Sequence, residues 1–257
     1  MSAMVRIAAA GDVHASEIHR RRVEEAFASL GDTADVVLLA GDLTAHGEPE
    51  EAEILVRACR HVDIPVYAVF GNHDVHGDRE RELREVLERG GVHVLDAESA
   101  VCEVRGVQIG IVGTKGFVGG FAGSSLPDFG EPLLRRVYAA TTAEVAALER
   151  GLQEVIEADL RVVLLHYAPT DETLEGEPVG IHAFLGSARL GIPIAEYQPD
   201  LVLHGHAHAG TFQGSIGATP VYNVAIHVTG RDFYVFDLEV EVRGRSGVEV
   251  AAPPELG

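Results

Sequence analysis

The segment VVLLAGD, residues 36–42, is a short apolar run that ends in a glycine and an acidic residue. The same arrangement occurs earlier as VRIAAAGD, residues 5–12, and later as VYAVFGNHD, residues 66–74. Short apolar runs bounded by turn-forming residues are typical of buried β-strands. The three segments therefore predict three strands, each followed directly by a polar cluster.

Amphipathic helices are predicted to alternate with these strands. Apolar residues recur at helical spacing in residues 17–30, 49–61 and 79–89. Strands that alternate with helices form a βαβαβ pattern with a parallel sheet. Because ligands of such sheets bind at the carboxyl ends of the strands, the three polar clusters fall where a binding site is expected.

The second half of the chain is richer in strands. A hairpin is predicted from residues 100–104 and 107–112, and further strands are predicted at 162–165, 201–203, 221–225 and 233–238. One clear helix is expected over residues 141–158, and the glycine-rich residues 113–132 are expected to form a long loop. We therefore predict one α/β domain over residues 1–250, in which a second sheet faces the first. Residues 251–257 are expected to be a flexible tail.

Composition excludes several classes of protein. The formal net charge of -20 argues against non-specific nucleic-acid binding, which depends on basic side chains. The two cysteines suggest neither a disulfide framework nor a cysteine zinc site. No apolar run approaches the length of a membrane span, so we expect no membrane partner and a cytoplasmic location. The apolar strands near the C-terminus leave a homodimer open.

Side chains suited to metal binding follow the apolar runs. They are Asp12, His14, Asp42, Asn72, His73, His166, His206 and His208. Oxygen and imidazole ligands without thiolate suit Mn, Fe, Zn or similar divalent ions, and this set is too rich in nitrogen for a dedicated Mg or Ca site. Two ions are expected, because there are more candidates than one ion needs. Asp42 is the natural carboxylate to bridge them.

These residues occur in five ordered motifs. The motifs are Gly11-Asp12-Val13-His14, Gly41-Asp42, Gly71-Asn72-His73-Asp74, His166 and Gly205-His206-Ala207-His208. The set resembles the DxH, GD, GNHD/E, H and GHxH signatures of calcineurin-like metallophosphoesterases. Single motifs of this kind are weak evidence, whereas the complete ordered set is specific and spans residues 11–208.

The resemblance implies a fold, an activity and a role for each residue. It implies a four-layer α/β/β/α sandwich of two facing mixed β-sheets, and hydrolysis of a phosphate ester, with a phosphodiester favoured, by a hydroxide bound at a dinuclear metal centre. Mn or Fe is expected first, with Zn, Ni or Co as alternatives. One ion would be bound by Asp12, His14 and His208, the other by Asn72, His166 and His206, and Asp42 would bridge them. By the same resemblance, His73 would protonate the leaving oxygen or hold a phosphate oxygen, and Asp74 would orient the His73 ring.

Other polar residues lie near the motifs in the sequence. His46 and His76 follow Asp42 and Asp74 closely and could line the pocket, and His204 adds an imidazole before the last motif. The three arginines at 20–22 are expected to form a solvated helix face with nearby glutamates rather than to bind phosphate. Lys115 and the phenylalanines that follow it could shape a substrate pocket or pack the loop onto the sheet.

Three function hypotheses remain open from the sequence. The first is a phosphodiesterase acting on a small phosphate ester, with a phosphomonoesterase of the same mechanism as its alternative. The second is a catalytically silent binding scaffold with the same fold, which the intact motifs disfavour. A DNA-processing nuclease is the third, and the acidic charge argues against it.

Overall fold

The first half of the chain forms the strand and helix repeat that its sequence predicts. The computed structural model describes residues 2–242. Its first elements are β1 (Ser2–Ala10), α1 (Arg20–Leu30), β2 (Val36–Ala40), α2 (Pro49–Cys59), β3 (Val66–Val69), α3 (Glu80–Arg89) and β4 (Val92–Val94). Strands β1 to β4 pair in parallel. The βαβαβ prediction is therefore confirmed.

The chain after β4 supplies all six strands of a second sheet and its covering helices. In chain order its elements are β5 (Glu98–Val104), β6 (Val107–Gly113), β7 (Gly120–Phe121), β8 (Ser124–Ser125), α4 (Pro132–Glu154), β9 (Leu160–Leu164), α5 (His182–Leu185), α6 (Gly191–Tyr197), β10 (Leu201–His204), β11 (Gln213–Ile216), β12 (Thr219–Asn223), α7 (Ile226–Thr229) and β13 (Tyr234–Glu241). The last strand returns to the first sheet and pairs with β1 in antiparallel orientation.

The two large sheets are both mixed. The strand order is β13-β1-β2-β3-β4 in the first and β11-β12-β10-β9-β6-β5 in the second. Strands β12, β10, β9 and β6 run parallel, with antiparallel β11 and β5 at the edges. Each sheet thus has a parallel centre, and the parallel strands of each end at one edge.

Alternating side chains of the strands divide the core into layers. In β1, Ile7 and Ala9 pack between the two sheets, while Ala8 and Ala10 pack with Phe27 of α1 on the outer face. Helices α4 and α6 cover the outer face of the second sheet. This arrangement follows from the two-residue period of a strand. It confirms the predicted four-layer fold of two facing mixed sheets flanked by helices.

Several details of the second half differ from the prediction. Strand β11 and the short helices α5, α6 and α7 were not predicted. The helix expected over residues 141–158 begins at Pro132 and ends at Glu154. Its first turns expose most of their side chains, including Leu133 and Leu134, so the apolar residues there do not form a stripe buried against the core. The loop expected over residues 113–132 contains the short hairpin of β7 and β8.

The strand ends of the two sheets are joined by backbone hydrogen bonds. The amide of Gly11, after β1, donates to the Val224 carbonyl, after β12, at 2.8 Å, and the amide of Ile226 donates back to the Gly11 carbonyl at 3.1 Å. These bonds bring the carboxyl ends of the central strands to one place.

Two further sequence predictions concern the extent of the chain. Of the helices in residues 2–242, none has the length and apolar character that a bilayer crossing requires. The tail expected at 251–257 lies outside the described residues, and the single domain over residues 1–250 stays a prediction.

Candidate metal centre

The turns after β1, β2 and β10 hold their polar residues in unusual backbone conformations. Asp12, His14, Asp42 and His206 have φ values of 60°, 47°, 49° and 70°. Positive φ is uncommon outside glycine and is often found at functional sites. The turns also support each other, because the amide of His14 donates to the carbonyl of Asp42 at 2.9 Å. These four residues therefore adopt strained backbone conformations that direct their side chains into the site.

Glycines allow the turns to approach the carboxylates. A Cβ atom at Gly71 would lie 2.1 Å from Oδ1 of Asp42, and one at Gly205 would lie 2.5 Å from Oδ2 of Asp12. No side chain fits at either place without displacing a carboxylate. The glycines of the GNHD and GHxH motifs are therefore required by close packing around the site.

Three groups of side chains bring ligand atoms within 4.8 Å of one another. The groups are Asp12 with His14 and His208; His14 with Asp42 and His73; and Asp42 with His166 and His206. Asn72 joins the third group through a 2.9 Å approach to His166. The structure therefore brings together every residue that the sequence predicts as a metal ligand, although these residues lie at positions between 12 and 208 of the chain.

Asp12 and His208 form the closest pair in the first group. Nε2 of His208 lies 2.9 Å from Oδ1 of Asp12, and the backbone amide of His206 donates to Oδ2 at 3.0 Å. Burial raises the pKa of Asp12, but the His208 hydrogen bond and neighbouring imidazoles lower it to about 2. The same hydrogen bond raises the pKa of His208. Asp12 is therefore an ionised carboxylate, the form that binds a cation.

In the third group, the tautomer of His166 is fixed by its backbone partner. Nδ1 lies 2.9 Å from the carbonyl oxygen of Ala40, which can only accept, so Nδ1 carries the proton. Burial, and then the neighbouring His206, lower the pKa of His166 to about 3, so the ring is neutral. The lone pair of Nε2 then faces Oδ1 of Asn72 at 2.9 Å. Both of these atoms are then acceptors. The contact is satisfied if the Asn72 amide is rotated so that its NH2 group donates to Nε2, or if the two atoms share a cation.

His206 is oriented in a similar way. Its Nε2 lies 3.2 Å from the carbonyl oxygen of Phe184 and therefore donates to it, which leaves Nδ1 free. Its pKa is lowered, mainly by burial. Backbone carbonyls that fix the second ring nitrogen are typical partners of metal-binding histidines.

Asp42 has a strongly raised pKa. Burial, and then the charges of Asp12 and Asp74, raise its pKa to about 9. Its Oδ1 lies 3.4 Å from Nε2 of His166, and its Oδ2 lies 3.7 Å from Nε2 of His14. Burial also lowers the pKa of His14, to about 4. A divalent cation would compensate these buried carboxylates while the neutral imidazoles bind it, so the donor set fits a metal centre.

His73 and Asp74 differ from the sequence prediction in their contacts. Nδ1 of the His73 ring lies 2.8 Å from the Ala45 carbonyl, so that carbonyl, and not Asp74, orients the ring. Nε2 of His73 faces Oδ2 of Asp42 at 3.9 Å.

Asp74 instead holds two turns together. It is fully buried and accepts hydrogen bonds from the amides of Leu43, Thr44 and Gly71 and from the Thr44 hydroxyl. The expected role of Asp74 in orienting His73 is therefore replaced by a structural role. The turn that carries the bridging candidate Asp42 is fixed to the GNHD turn by this one carboxylate.

Two of the additional histidines have structural partners. His46 is exposed and pairs with Glu51, 2.7 Å away, so it does not line the site. His204 is buried, with Nδ1 near the Gly205 carbonyl at 2.8 Å and Nε2 near the Thr173 hydroxyl at 2.9 Å. Both of its ring nitrogens are thus engaged away from the metal ligands.

Two other histidines pack on residues of the site. The ring of His76 lies 4.6 Å from that of His73. His227, which no motif contains, stacks on His208 at 4.2 Å between ring centroids. Both rings are exposed on their outer sides. His227 had no sequence signal, because it follows β12 at a position remote from all five motifs.

The arginines after the first motif form ion pairs. Arg20 and Arg21 pair with Glu24 and Glu25, and Arg22 pairs with Asp232. The expectation of a solvated, paired helix face is confirmed.

Lys115 lies on aromatic rings beside the site. Its Nζ is 4.6 Å from the ring centroid of Phe117 and 5.3 Å from that of Tyr167. Its carbonyl accepts hydrogen bonds from the amides of His166 and Tyr167. Lys115 thus ties the start of the 113–132 segment to β9 and its following residues.

Comparison with known proteins identifies the family. The family model for calcineurin-like phosphoesterases matches residues 5–210. The chain belongs to this family. In this calcineurin-like phosphoesterase, the polar residues that follow strands of both sheets lie close together.

Two further comparisons agree with the family and the fold. Phosphopantetheinyl hydrolase from Mycobacterium tuberculosis is 16% identical, with a TM-score of 0.69 over 92% of this chain and 96% of that one. "Probable glycerophosphodiester phosphodiesterase GpdQ" from Arcobacter nitrofigilis is 33% identical over 57 residues, which are 22% of this chain. The match spans 21% of that curated relative's length. The predicted family and fold are confirmed, and the prediction of a hydrolase is supported.

The same fold also occurs in a protein described as an anchor. A structure described as "GAP50 the anchor in the inner membrane complex of Plasmodium" is 11% identical, with a TM-score of 0.56 over 87% of this chain and 72% of that one. The fold alone therefore does not decide between an enzyme and a scaffold, so function has to be inferred from the site residues.

Proposed function

We propose that this chain is a metal-dependent phosphodiesterase with a dinuclear metal centre. The observation that carries the proposal is the position of Asp42, whose carboxylate faces His14 on one side and His166 on the other. A carboxylate with an imidazole on each side is the arrangement that a bridging ligand needs. The family supports it, since all five of its motifs converge there.

Each ion would be held by residues that already lie together. Asp12, His14 and His208 would hold one, and Asn72, His166 and His206 the other, with Asp42 common to both. When bound, two divalent ions would lower the pKa of a water molecule and neutralise phosphate oxygens. Mn or Fe fits the donor set first, with Zn, Ni or Co as alternatives. The backbone carbonyls of Ala40 and Phe184 keep the His166 and His206 rings in the required orientation.

His73 would act on the ester itself. Because Nδ1 donates to the Ala45 carbonyl, Nε2 is the atom available to the site. Protonated at Nε2, the ring would donate to a phosphate oxygen or to the departing alcohol oxygen. His76, packed on the outer side of His73, would limit the movement of that ring.

A small phosphodiester is the favoured substrate class. A relative named as a phosphodiesterase supports this choice. The charge distribution also favours it, because the arginines that follow the first motif are engaged by acidic residues. A monoester dianion would gain more from free guanidinium groups than a diester monoanion would. The cytoplasmic location, the homodimer and the lack of nucleic-acid binding remain predictions from the sequence.

The test is hydrolysis by Mn-loaded protein of bis-p-nitrophenyl phosphate, p-nitrophenyl phosphate and 2′,3′- and 3′,5′-cyclic nucleotides. We expect the diester to be turned over faster than the monoester, and His73→Ala to lower kcat by about 100-fold or more while metal content stays unchanged. Metal-loaded protein that hydrolyses no mono- or diester would contradict the proposal and favour a scaffold.

A further inference from the structure

An exposed aromatic residue is fixed to the metal centre through its backbone. Phe184 is 60% exposed, and its carbonyl oxygen accepts the hydrogen bond from Nε2 of His206. Because the bond involves the main chain, the side chain takes no part in orienting His206. The exposed phenyl ring therefore belongs to a residue that contacts a proposed metal ligand directly through its main chain.

The segment that carries Phe184 is built rigidly. The flanking residues Ala183 and Leu185 are buried, and Leu185 packs in a small core with Phe121, Ala168, Leu174 and Ala207. Four backbone hydrogen bonds join the segment to its neighbours: Gly119 to Ala183, Gly120 to Gly186, Ala168 to Leu185 and Ser187 to Ala168. The exposure of Phe184 is therefore a feature of an ordered segment.

Two more apolar side chains are exposed just before Phe184. Val179 is 72% exposed and Ile181 is 41% exposed. Their segment is also tied to the GHxH motif, because the side chain of Glu177 accepts a hydrogen bond from the amide of Ala209 at 2.7 Å. We refer to Val179, Ile181 and Phe184 together as the apolar rim.

We propose that the apolar rim binds the organic group of the phosphate ester and selects esters whose substituent is aromatic or extended and apolar. This inference rests on the proposed function. A phosphate held at the metal centre carries its substituent out past the ligand residues. The rim is joined to one of these residues, His206, and to the GHxH loop. Exposed apolar side chains beside a site gain stability when a ligand covers them.

The experiment compares two diesters that share one chromophoric leaving group. Phenyl p-nitrophenyl phosphate and methyl p-nitrophenyl phosphate both release p-nitrophenolate, and they differ only in the group that the rim would contact. The quantity measured is the ratio of kcat/KM for the phenyl ester to that for the methyl ester, in wild type and Phe184→Ala. Comparing the two proteins removes the difference in intrinsic reactivity between the esters.

We expect Phe184→Ala to lower this ratio by about tenfold, which is typical of one lost apolar contact, with little change for the methyl ester. Phe184→Leu is expected to retain part of the ratio. Metal content should be unchanged, because the carbonyl that orients His206 remains. The matched control is Phe129→Ala, since Phe129 is 78% exposed and lies in the segment before α4. This variant should leave the ratio as in wild type.

Each other outcome is informative. Hydrolysis of both esters by wild type with an unchanged ratio in Phe184→Ala would overturn the inference and leave the proposed function intact. Hydrolysis of neither ester would count against the proposed function itself. A change in oligomeric state on sizing Phe184→Ala, without a change in the ratio, would mean that a second copy of the chain covers the rim, and would also overturn the inference.

Discussion

Nε2 of His208 lies 2.9 Å from Oδ1 of Asp12, although the two residues belong to the last and first motifs of the chain. The contact joins a turn after β10 of the second sheet to a turn after β1 of the first. We predict that His208→Ala lowers the bound Mn from about two ions per chain to about one. The measurement is metal analysis after dialysis against trace Mn.

The matched control for this prediction is His227→Ala. His227 stacks on His208 but belongs to none of the groups that could hold an ion among the described residues. The His227→Ala variant should therefore bind as many metal ions as wild type. Equal losses in the two variants would mean that His208 acts through packing and not as a ligand.

Asp42 should make the metal-free protein less stable at alkaline pH. Its pKa is raised from 3.8 to about 9, so the folded state holds a proton that the unfolded state has lost between these values. The free energy of unfolding contributed by this group therefore falls as pH rises through that range. His14 and His166, whose pKa values are lowered to about 4 and about 3, are neutral in both states above pH 7.

The measurement is chemical unfolding of metal-free wild type and Asp42→Asn at about pH 7 and about pH 9. Wild type should lose stability over this window. The raised pKa of His208 acts in the same direction, so it contributes to the slope in both proteins. Asp42→Asn should therefore have a shallower slope, and equal slopes would show that Asp42 is ionised in the metal-free fold.

Asp74 should matter for stability more than for orienting His73. The amides of Leu43, Thr44 and Gly71 donate to the two carboxylate oxygens of Asp74. Asp74→Asn replaces one of these acceptor oxygens with an NH2 group, which is a donor and cannot accept from the amides that face it. We expect a loss of about 2 to 4 kcal/mol in the free energy of unfolding, because buried donors lose their partners. Urea unfolding measures it.

His73→Ala provides the contrast for Asp74. It removes a half-buried ring with one backbone hydrogen bond, so its cost should be about 1 kcal/mol while kcat falls steeply. If Asp74→Asn has the same free energy of unfolding as wild type, the structural role given to this carboxylate is contradicted.

Close packing around Asp42 gives a further prediction. Gly71→Ala would place a methyl group 2.1 Å from Oδ1 of Asp42, so we expect the carboxylate to move and metal binding and activity to be lost together. Gly180→Ala is the control for metal content, since outside its chain neighbours no described heavy atom lies within 4 Å of a Cβ built there. Metal content is measured for both variants, and the diesterase rate of Gly71→Ala is compared with that of wild type. Retention of both properties in Gly71→Ala would contradict the described geometry.

Much of the site could be predicted because its ligands follow strands that the apolar pattern reveals. Parallel strands end at one edge, so Asp12, Asp42 and Asn72 had to lie near one another once β1, β2 and β3 were recognised. The second sheet brings His166 and His206 to the same edge by the same rule. Family resemblance then distinguished metal ligands from ordinary turn residues.

The parts that were missed depend on the backbone or on distant packing. The carbonyls of Ala40, Ala45 and Phe184 orient three histidine rings. Because every residue has a backbone carbonyl, the residue type does not reveal which carbonyl will have this role. The stacking of His227 on His208 depends on where α7 folds back, which local pattern does not determine. The start of α4 was missed because the helix begins directly after a glycine-rich segment, and its buried residues begin only at Thr141.

The central claim is that two metal ions and the residues around Asp42 hydrolyse a phosphodiester. The most direct test is titration of metal-free protein with Mn while the rate on bis-p-nitrophenyl phosphate is followed, with Asp42→Ala in parallel. We predict that wild type binds about two ions per chain, that the rate rises as the second ion binds, and that Asp42→Ala shows neither behaviour. Full activity with one ion per chain, or unchanged activity in Asp42→Ala, would contradict the claim.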